Sequence, residues 1–408
     1  MNSDRWKYKS GIKGKRLLHC SILFIALGAG YLTIDYFGPS GIRLKTDTVF
    51  GFSCLRARDL IVQEYDSSGN LWATRGMIIY KLGRGEDEFR REAHVPTGLS
   101  VFWIRNFTVV RRLTLRPECV EMTVTDRGDI CALSAGSWWI RYSGSGKFIK
   151  TMQLANYGFG DQGVRNDGIL CTGDSTLYFG EYFQNPGKGE VNVYRTTDNL
   201  TSWKSVYSFP PGKIRHVHAV QKDPYTGKIW ICTGDLDRES SVGWSDDEFE
   251  TLHIIGKGSQ LWRVCQLVFT EEALYWGTDT GILSVAGIYK WDRKSGNIQK
   301  LYELDGPVFY GITLANGTIV MSSNREGMKN EKDDRTRLFI IANDKTEVMK
   351  CGTWHHKKPG FRFKYAKLRF QRNSGAESLA ISIMNQKELP DGDLIIIDED
   401  ELVSRVTD

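Results

Sequence analysis

Residues 215–237 read RHVHAVQKDPYTGKIWICTGDLD. His216 and His218 stand two apart, a turn follows at residues 223–227, and an apolar run from Ile229 to Cys232 ends at Gly234, Asp235 and Asp237. Asp223 can bond its own backbone two residues on, Pro224 presets its dihedral and Gly227 tolerates a left-handed one, so DPYTG is a turn on chemical grounds. Apolar, β-branched and aromatic residues on either side make the stretch a β-hairpin with polar groups at its open ends.

The hairpin recurs along the chain. Its second strand aligns with GNLWAT (69–74), GDICALS (128–134), STLYFGEY (175–182), EALYWGTDT (272–280), GTIVMSSN (317–324) and ESLAISIM (377–384). The anchors Leu71, Ile130, Leu177, Ile229, Leu274, Ile319 and Leu379 are 45 to 60 residues apart. That period belongs to propeller blades carrying insertions. First strands such as RDLIVQEY and ECVEMTVT precede the anchors, and paired third and fourth strands such as VNVYRT with KSVYSF follow them. Four-stranded sheets in series around a channel form a β-propeller. The expected fold class is all-β, with seven blades, or six if the terminal segments share a sheet, and DLIIIDEDELVSRV (393–406) supplying the last strands. The 42 glycines and 12 tryptophans suit many short strands and tight turns. No segment has the pattern of a long amphipathic helix.

The N-terminus has a separate organisation. Basic residues between Arg5 and Arg16 precede the uncharged run LLHCSILFIALGAGYLTI, residues 17–34. As a helix at about 1.5 Å per residue that run spans roughly 27 Å, close to a hydrocarbon core of ~30 Å. The expected order is a basic cytoplasmic tail (1–16), a transmembrane anchor or signal segment (17–34), a linker (35–55) and the propeller (56–408). The basic flank keeps the N-terminus cytoplasmic and exports the body. Gly28-Ala29-Gly30 offers small residues for cleavage, which would make the body secreted. Sequons at Asn106, Asn199 and Asn316 are compatible with export. The net charge of +5 is small for 408 residues and demands no anionic partner. Eight cysteines without a CxxC pair exclude a zinc ribbon and suit small buried hydrophobes.

Two turns between third and fourth strands carry a finer signal. TTDNLTSW places Thr196, Asp198 and Trp203 at the S/T-x-D-x-G-x-x-W spacing, with Leu200 at the glycine position. SDDEFETL places Ser245 and Asp247 likewise, with Phe249 and Leu252 at the glycine and tryptophan positions. The chain resembles the Asp-box (BNR-repeat) propellers, a superfamily that includes sialidases and other glycan-active proteins. The resemblance implies a propeller in which these five polar and aromatic residues are structural turn-formers, and it implies glycan binding. A Phe/Tyr-Arg-Ile-Pro stretch, which sialidases carry, is absent, so sialidase activity is not expected.

In a propeller the turns from second to third strand and the connections from fourth to next first strand gather at one end of the channel. The candidates leading into first strands are Arg215, His216, His218, Trp262, Arg263 and Tyr310; those leaving second strands include Glu181, Asp235, Asp279, Asn324 and Arg325. Glu181, Asp235 and His218 are the candidate catalytic groups, since two carboxylates can perform glycosidic chemistry. Arg215, His216, Trp262, Arg263, Asp279, Tyr310, Asn324 and Arg325 are the candidate ligand contacts, with the arginines suited to a carboxylate or sulfate. His216 and His218 alternate onto one face and could hold a divalent metal with Asp235. The basic segment 355–372, HHKKPGFRFKYAKLRFQR, is either a solvated edge or a face for acidic polysaccharide or lipid.

These features give three expectations: an exported propeller that binds and could process an anionic saccharide; a non-enzymatic propeller holding a protein partner at the membrane; and a metal-dependent lyase or hydrolase using the histidine pair. Fold alone does not choose among them. Nucleic acid is not an expected partner, and no P-loop, GxSxG or HExxH motif occurs.

Overall fold

A computed structural model describes residues 38–97, 120–157, 163–173, 175–342, 345–354, 365–373 and 375–407. Its strands form seven antiparallel sheets. Blade 1 runs through Ile61–Tyr65, Leu71–Arg75, Ile78–Leu82 and Glu88–His94, each strand pairing with the next. Blades 2 to 6 repeat this meander and begin at Glu121–Val124, Ile169–Cys171, His216–Lys222, Val268–Phe269 and Val308–Thr313.

Blade 7 closes the ring. Lys367–Phe370, Ser378–Met384 and Asp393–Asp398 supply its first three strands, and Phe52–Ala57 from the other end of the chain supplies the fourth, with Leu55 opposite Ile396 and Ala57 opposite Leu394. Arg56 fixes this seam through ion pairs to Asp393 at 2.6 Å and Asp47 at 2.7 Å. Two sequence expectations change here. Residues 41–57, mostly read as linker, form three strands: Gly41–Arg43 on the outer edge of blade 1, and Lys45–Val49 and Phe52–Ala57 in blade 7. The final residues do not form a fourth strand; Glu399–Thr407 is a short helix whose Leu402 is buried against blades 6 and 7. The terminal segments do share a sheet, and the count is still seven.

The core lies between blades. Seven apolar clusters each join a neighbouring pair, from Val62 with Leu394 at the closing seam to Trp230 with Trp276 between blades 4 and 5. Seven blades in a closed ring have seven such interfaces, so packing and strand pairing give the same count. First strands are buried on both faces, as in Glu121–Val124 and Lys367–Phe370. Fourth strands face water, as in Ile298–Glu303, where no residue is buried. This gradient explains why the inner strands read as near-continuous apolar runs.

The two turns that resemble Asp-boxes in sequence are held by different contacts. Ser245 Oγ accepts from Phe249 N at 2.8 Å and donates to Asp247 Oδ1 at 2.8 Å, and that oxygen accepts from Thr251 N at 2.9 Å. In blade 3 the Thr196 hydroxyl instead accepts from Leu177 N at 2.8 Å, the Asp198 carbonyl receives the Thr201 hydroxyl at 2.7 Å, and Trp203 packs on Trp138 and Phe179. Leu200 and Phe249 occupy left-handed backbone at φ 72° and 71°. That conformation costs a side-chain-bearing residue about 1–2 kcal/mol. Both side chains are buried between blades, which offsets the strain and explains why glycine is dispensable there.

Among the described residues no helix is long and apolar enough to cross a membrane. Residues 17–34, read as a membrane or signal segment, lie outside the described residues, as do Lys357, Lys358, Arg362 and Lys364 of the basic stretch. The remainder of that stretch is no solvated face. Arg369 and Arg372 point into the channel and are buried against Glu121 and Glu64, each at 2.7 Å. The six described cysteines are unbridged, and all but Cys171 are buried.

Candidate ligand and metal site at the blade mouths

Blades 3, 4 and 5 bring their polar ends together at one rim. His216 opens the first strand of blade 4, and Asp235 follows its second strand, Ile229–Gly234. The pairing slips between Val217 and Ala219, which leaves His218 as an extra residue in the strand. Such a bulge re-aims a side chain. Here it swings the His218 ring toward His216, with Nε2 to Nε2 at 3.1 Å. Gly234 makes room for it: a Cβ there would lie 2.5 Å from His218 Cε1.

Each imidazole is held from behind by a backbone carbonyl. His216 Nδ1 lies 3.1 Å from Phe183 O, and His218 Nδ1 lies 3.0 Å from Val264 O. A carbonyl oxygen only accepts, so both Nδ1 atoms carry hydrogen. Asp235 Oδ1 stands 3.4 Å from both Nε2 atoms, and its Oδ2 receives Arg215 at 2.7 Å. Burial pushes His218 down to about 4, so its ring is neutral at physiological pH.

A second layer lies against this trio. Arg263 pairs with Asp279 at 3.1 Å and approaches Asp235 at 3.5 Å. Cys265 Sγ donates to Asp279 Oδ2 at 3.4 Å and accepts from Arg165 Nη1 at 2.8 Å. Burial keeps this thiol well above its ordinary value, so it is a neutral hydrogen-bonding group rather than a nucleophile. Arg165 stacks over Phe309, 4.9 Å from the ring centroid, and over Tyr182 at 5.8 Å; Tyr182 in turn stacks on His216 at 4.1 Å. Among the described residues Arg165 forms no ion pair with a carboxylate. Asp279 Oδ1 and Arg263 Nε are buried without a hydrogen-bond partner. A half-buried guanidinium lacking a counter-ion, beside polar atoms lacking partners, is spare binding capacity.

The other candidates sit elsewhere. Glu181 is buried and raised by that burial, and its Oε2 accepts from Asn192 N at 2.8 Å; it joins neither histidine cluster. A 3-10 turn at Gln260–Trp262 tucks Trp262 into the core of blades 4 and 5, where it stacks on Trp276 at 5.5 Å. Tyr310 packs between blades 6 and 7. Asn324 and Arg325 are fully buried, and Arg325 pairs with Asp305 at 3.0 Å. Sequence reasoning missed Arg165, whose only mark is its place ahead of a three-residue first strand.

No family model and no curated protein matches the chain. Solved structures do. An oligogalacturonate lyase in complex with manganese shares 10% identity at TM-score 0.51, covering 88% of this chain and 97% of that one. YCF48 bound to D1 peptide shares 9% identity at TM-score 0.50, covering 88% and 96%. At such identities the likeness establishes the propeller fold alone.

Proposed function

We propose that this protein is a binding propeller that takes an anionic saccharide at the rim of blades 3 to 5. The observation that carries the reading is Arg165, a half-buried guanidinium against two aromatic rings with no carboxylate paired to it among the described residues. Burying a charge without a partner is costly, and a ligand carboxylate supplies the partner in bidentate form. Arg263 and Arg215 add positive charge, and the partly exposed Tyr182 lies beside them as an aromatic neighbour. Two-carboxylate hydrolysis is not part of the proposal, because Glu181 is committed to Asn192 within its own blade. Kinship with Asp-box propellers belongs to the proposal and draws support from the Ser245–Asp247 turn. So does export, supported by the basic flank, the apolar run at 17–34, and the exposed Asn199 and Asn316.

The test is calorimetric titration of the full-length chain with an oligo-uronate and with its methyl ester. The acid form should bind at least ten-fold more tightly. Equal binding of both forms, or of neither, contradicts the reading. Leu236, Ile282 and Leu283 are exposed in the loops leaving the second strands of blades 4 and 5 and favour one second reading, a docked protein. Binding of an acidic peptide without any uronate binding would select it.

A further inference from the structure

Two imidazole nitrogens and one carboxylate oxygen converge at the rim. Both Nδ1–H groups of His216 and His218 are spent on Phe183 O and Val264 O. The rings therefore turn their Nε2 atoms toward each other at 3.1 Å and toward Asp235 Oδ1 at 3.4 Å. Lone pairs approach so closely only with a proton or a metal cation among them, and the three-fold convergence with Asp235 favours the metal. Ligand atoms about 2.1 Å from one ion lie roughly 3.0 Å apart at octahedral angles and roughly 3.4 Å apart at tetrahedral angles. The three observed separations fall in that interval.

The outer contacts match a metal site as well. Ligating histidines commonly donate their second nitrogen to a carbonyl, which fixes tautomer and orientation. Both do so here. Arg215 holds the other oxygen of Asp235 at 2.7 Å, Tyr182 stacks on His216, and the bulge with Gly234 seats His218. His218, Cys265 and Asp279 also lie close together, but His218 would meet that group through Nδ1, which is already bonded to Val264 O.

We propose that His216 Nε2, His218 Nε2 and Asp235 Oδ1 bind one divalent first-row transition metal. Two imidazoles and one carboxylate suit zinc, manganese or iron and leave coordination positions open. The inference rests on the anionic-ligand reading only for what fills those positions, where a ligand carboxylate would meet both the ion and Arg165.

The test uses full-length protein freed of metal and titrated separately with zinc, manganese and cobalt(II), beside Asp235→Asn and His216→Gln. Bound metal is measured by elemental analysis and cobalt coordination by visible absorption. One equivalent per chain is expected, with affinity falling at least ten-fold in each variant and the cobalt bands lost. Asp235 is partly exposed, so Asp235→Asn decides the matter if His216→Gln does not fold. No saturable binding of any of the three ions, or equal binding by wild type and Asp235→Asn, overturns the proposal; a shared proton would then join the imidazoles. Metal binding without uronate binding sinks the saccharide reading alone, and uronate binding without metal sinks the metal alone.

Discussion

Among the arginine–carboxylate clusters of this propeller, the one inside the channel and the one at the rim are built to different ends. In the channel Arg369 makes a two-pronged pair with Glu121 at 2.9 and 2.7 Å and also reaches Asn166. Arg372 binds Glu64, the Met122 carbonyl and the Asn166 carbonyl, and Glu64 accepts from Thr123 and from Val124 N. Each guanidinium there has its own carboxylate. At the rim Arg165 donates to a neutral thiol, Asp279 Oδ1 has no partner, and two imidazole lone pairs face a carboxylate. Similar residue types thus make a structural plug where charge is matched and the proposed binding site where it is not.

The sharpest way to break this contrast is to unpair the channel. Glu121→Ala leaves Arg369 buried without its carboxylate and should cost about 3–5 kcal/mol in urea unfolding. A loss within 1 kcal/mol would show that the channel is open to water and the contrast false.

Asp167 stands between the clusters, among Arg165, Arg372, Arg369 and Glu121, and burial raises its carboxyl to about 7. The folded state therefore holds a proton that the unfolded state gives up above about pH 4. Stability from this group is lost as pH rises from about 4 to about 7. Asp167→Asn should accordingly stabilise the protein at pH 8 by up to about 4 kcal/mol and by much less at pH 5. Unfolding curves at the two pH values check this; a gain independent of pH would contradict it.

Gly234→Ala sharpens the rim side. Its methyl would lie 2.5 Å from a His218 ring that is only 1% exposed and cannot yield. Overpacking of this kind costs about 1–3 kcal/mol, and the displaced ring should weaken metal binding in the titrations described above. Unchanged metal affinity would mean that the bulge does not set the position of His218. The smallest effect on stability belongs to Arg165→Ala, which removes stacking on Phe309 and Tyr182, worth about 0.5–1 kcal/mol at a partly exposed site, and one weak hydrogen bond to the Cys265 thiol.

The contrast also explains what could be read from the sequence. The period of the second strands carries the fold, because each blade repeats one local pattern of apolar strand and glycine turn. Closure by Phe52–Ala57 is not local: its partner, Asp393–Asp398, lies at the far end of the chain, and nothing in FSCLRA names it. Asp235, His216, His218 and Asp279 fall where the blade scheme places them because they adjoin long, clear strands, and Arg263 does because it opens the apolar run RVCQLVF, of which only Val268–Phe269 is strand. Arg165 is separated from Ile169–Cys171 by the polar turn Asn166–Gly168, so no apolar run marks the entry to that first strand. Trp262, Tyr310 and Arg325 occupy equivalent positions in the scheme but turn inward, and the choice between core and rim depends on how a loop folds back. Arg369 and Arg372 read as a basic surface because their partners, Glu121 and Glu64, come from blades remote in sequence.

The most direct measurement is titration of an oligo-uronate into Arg165→Ala beside the wild type, with unfolding midpoints recorded for both. The account predicts at least a ten-fold loss of affinity with nearly unchanged stability, since Arg165 serves the ligand and not the fold. Unchanged affinity, or a loss matched by a collapse of stability like that expected for Glu121→Ala, would show that Arg165 belongs with the channel arginines and that the rim is not the binding site.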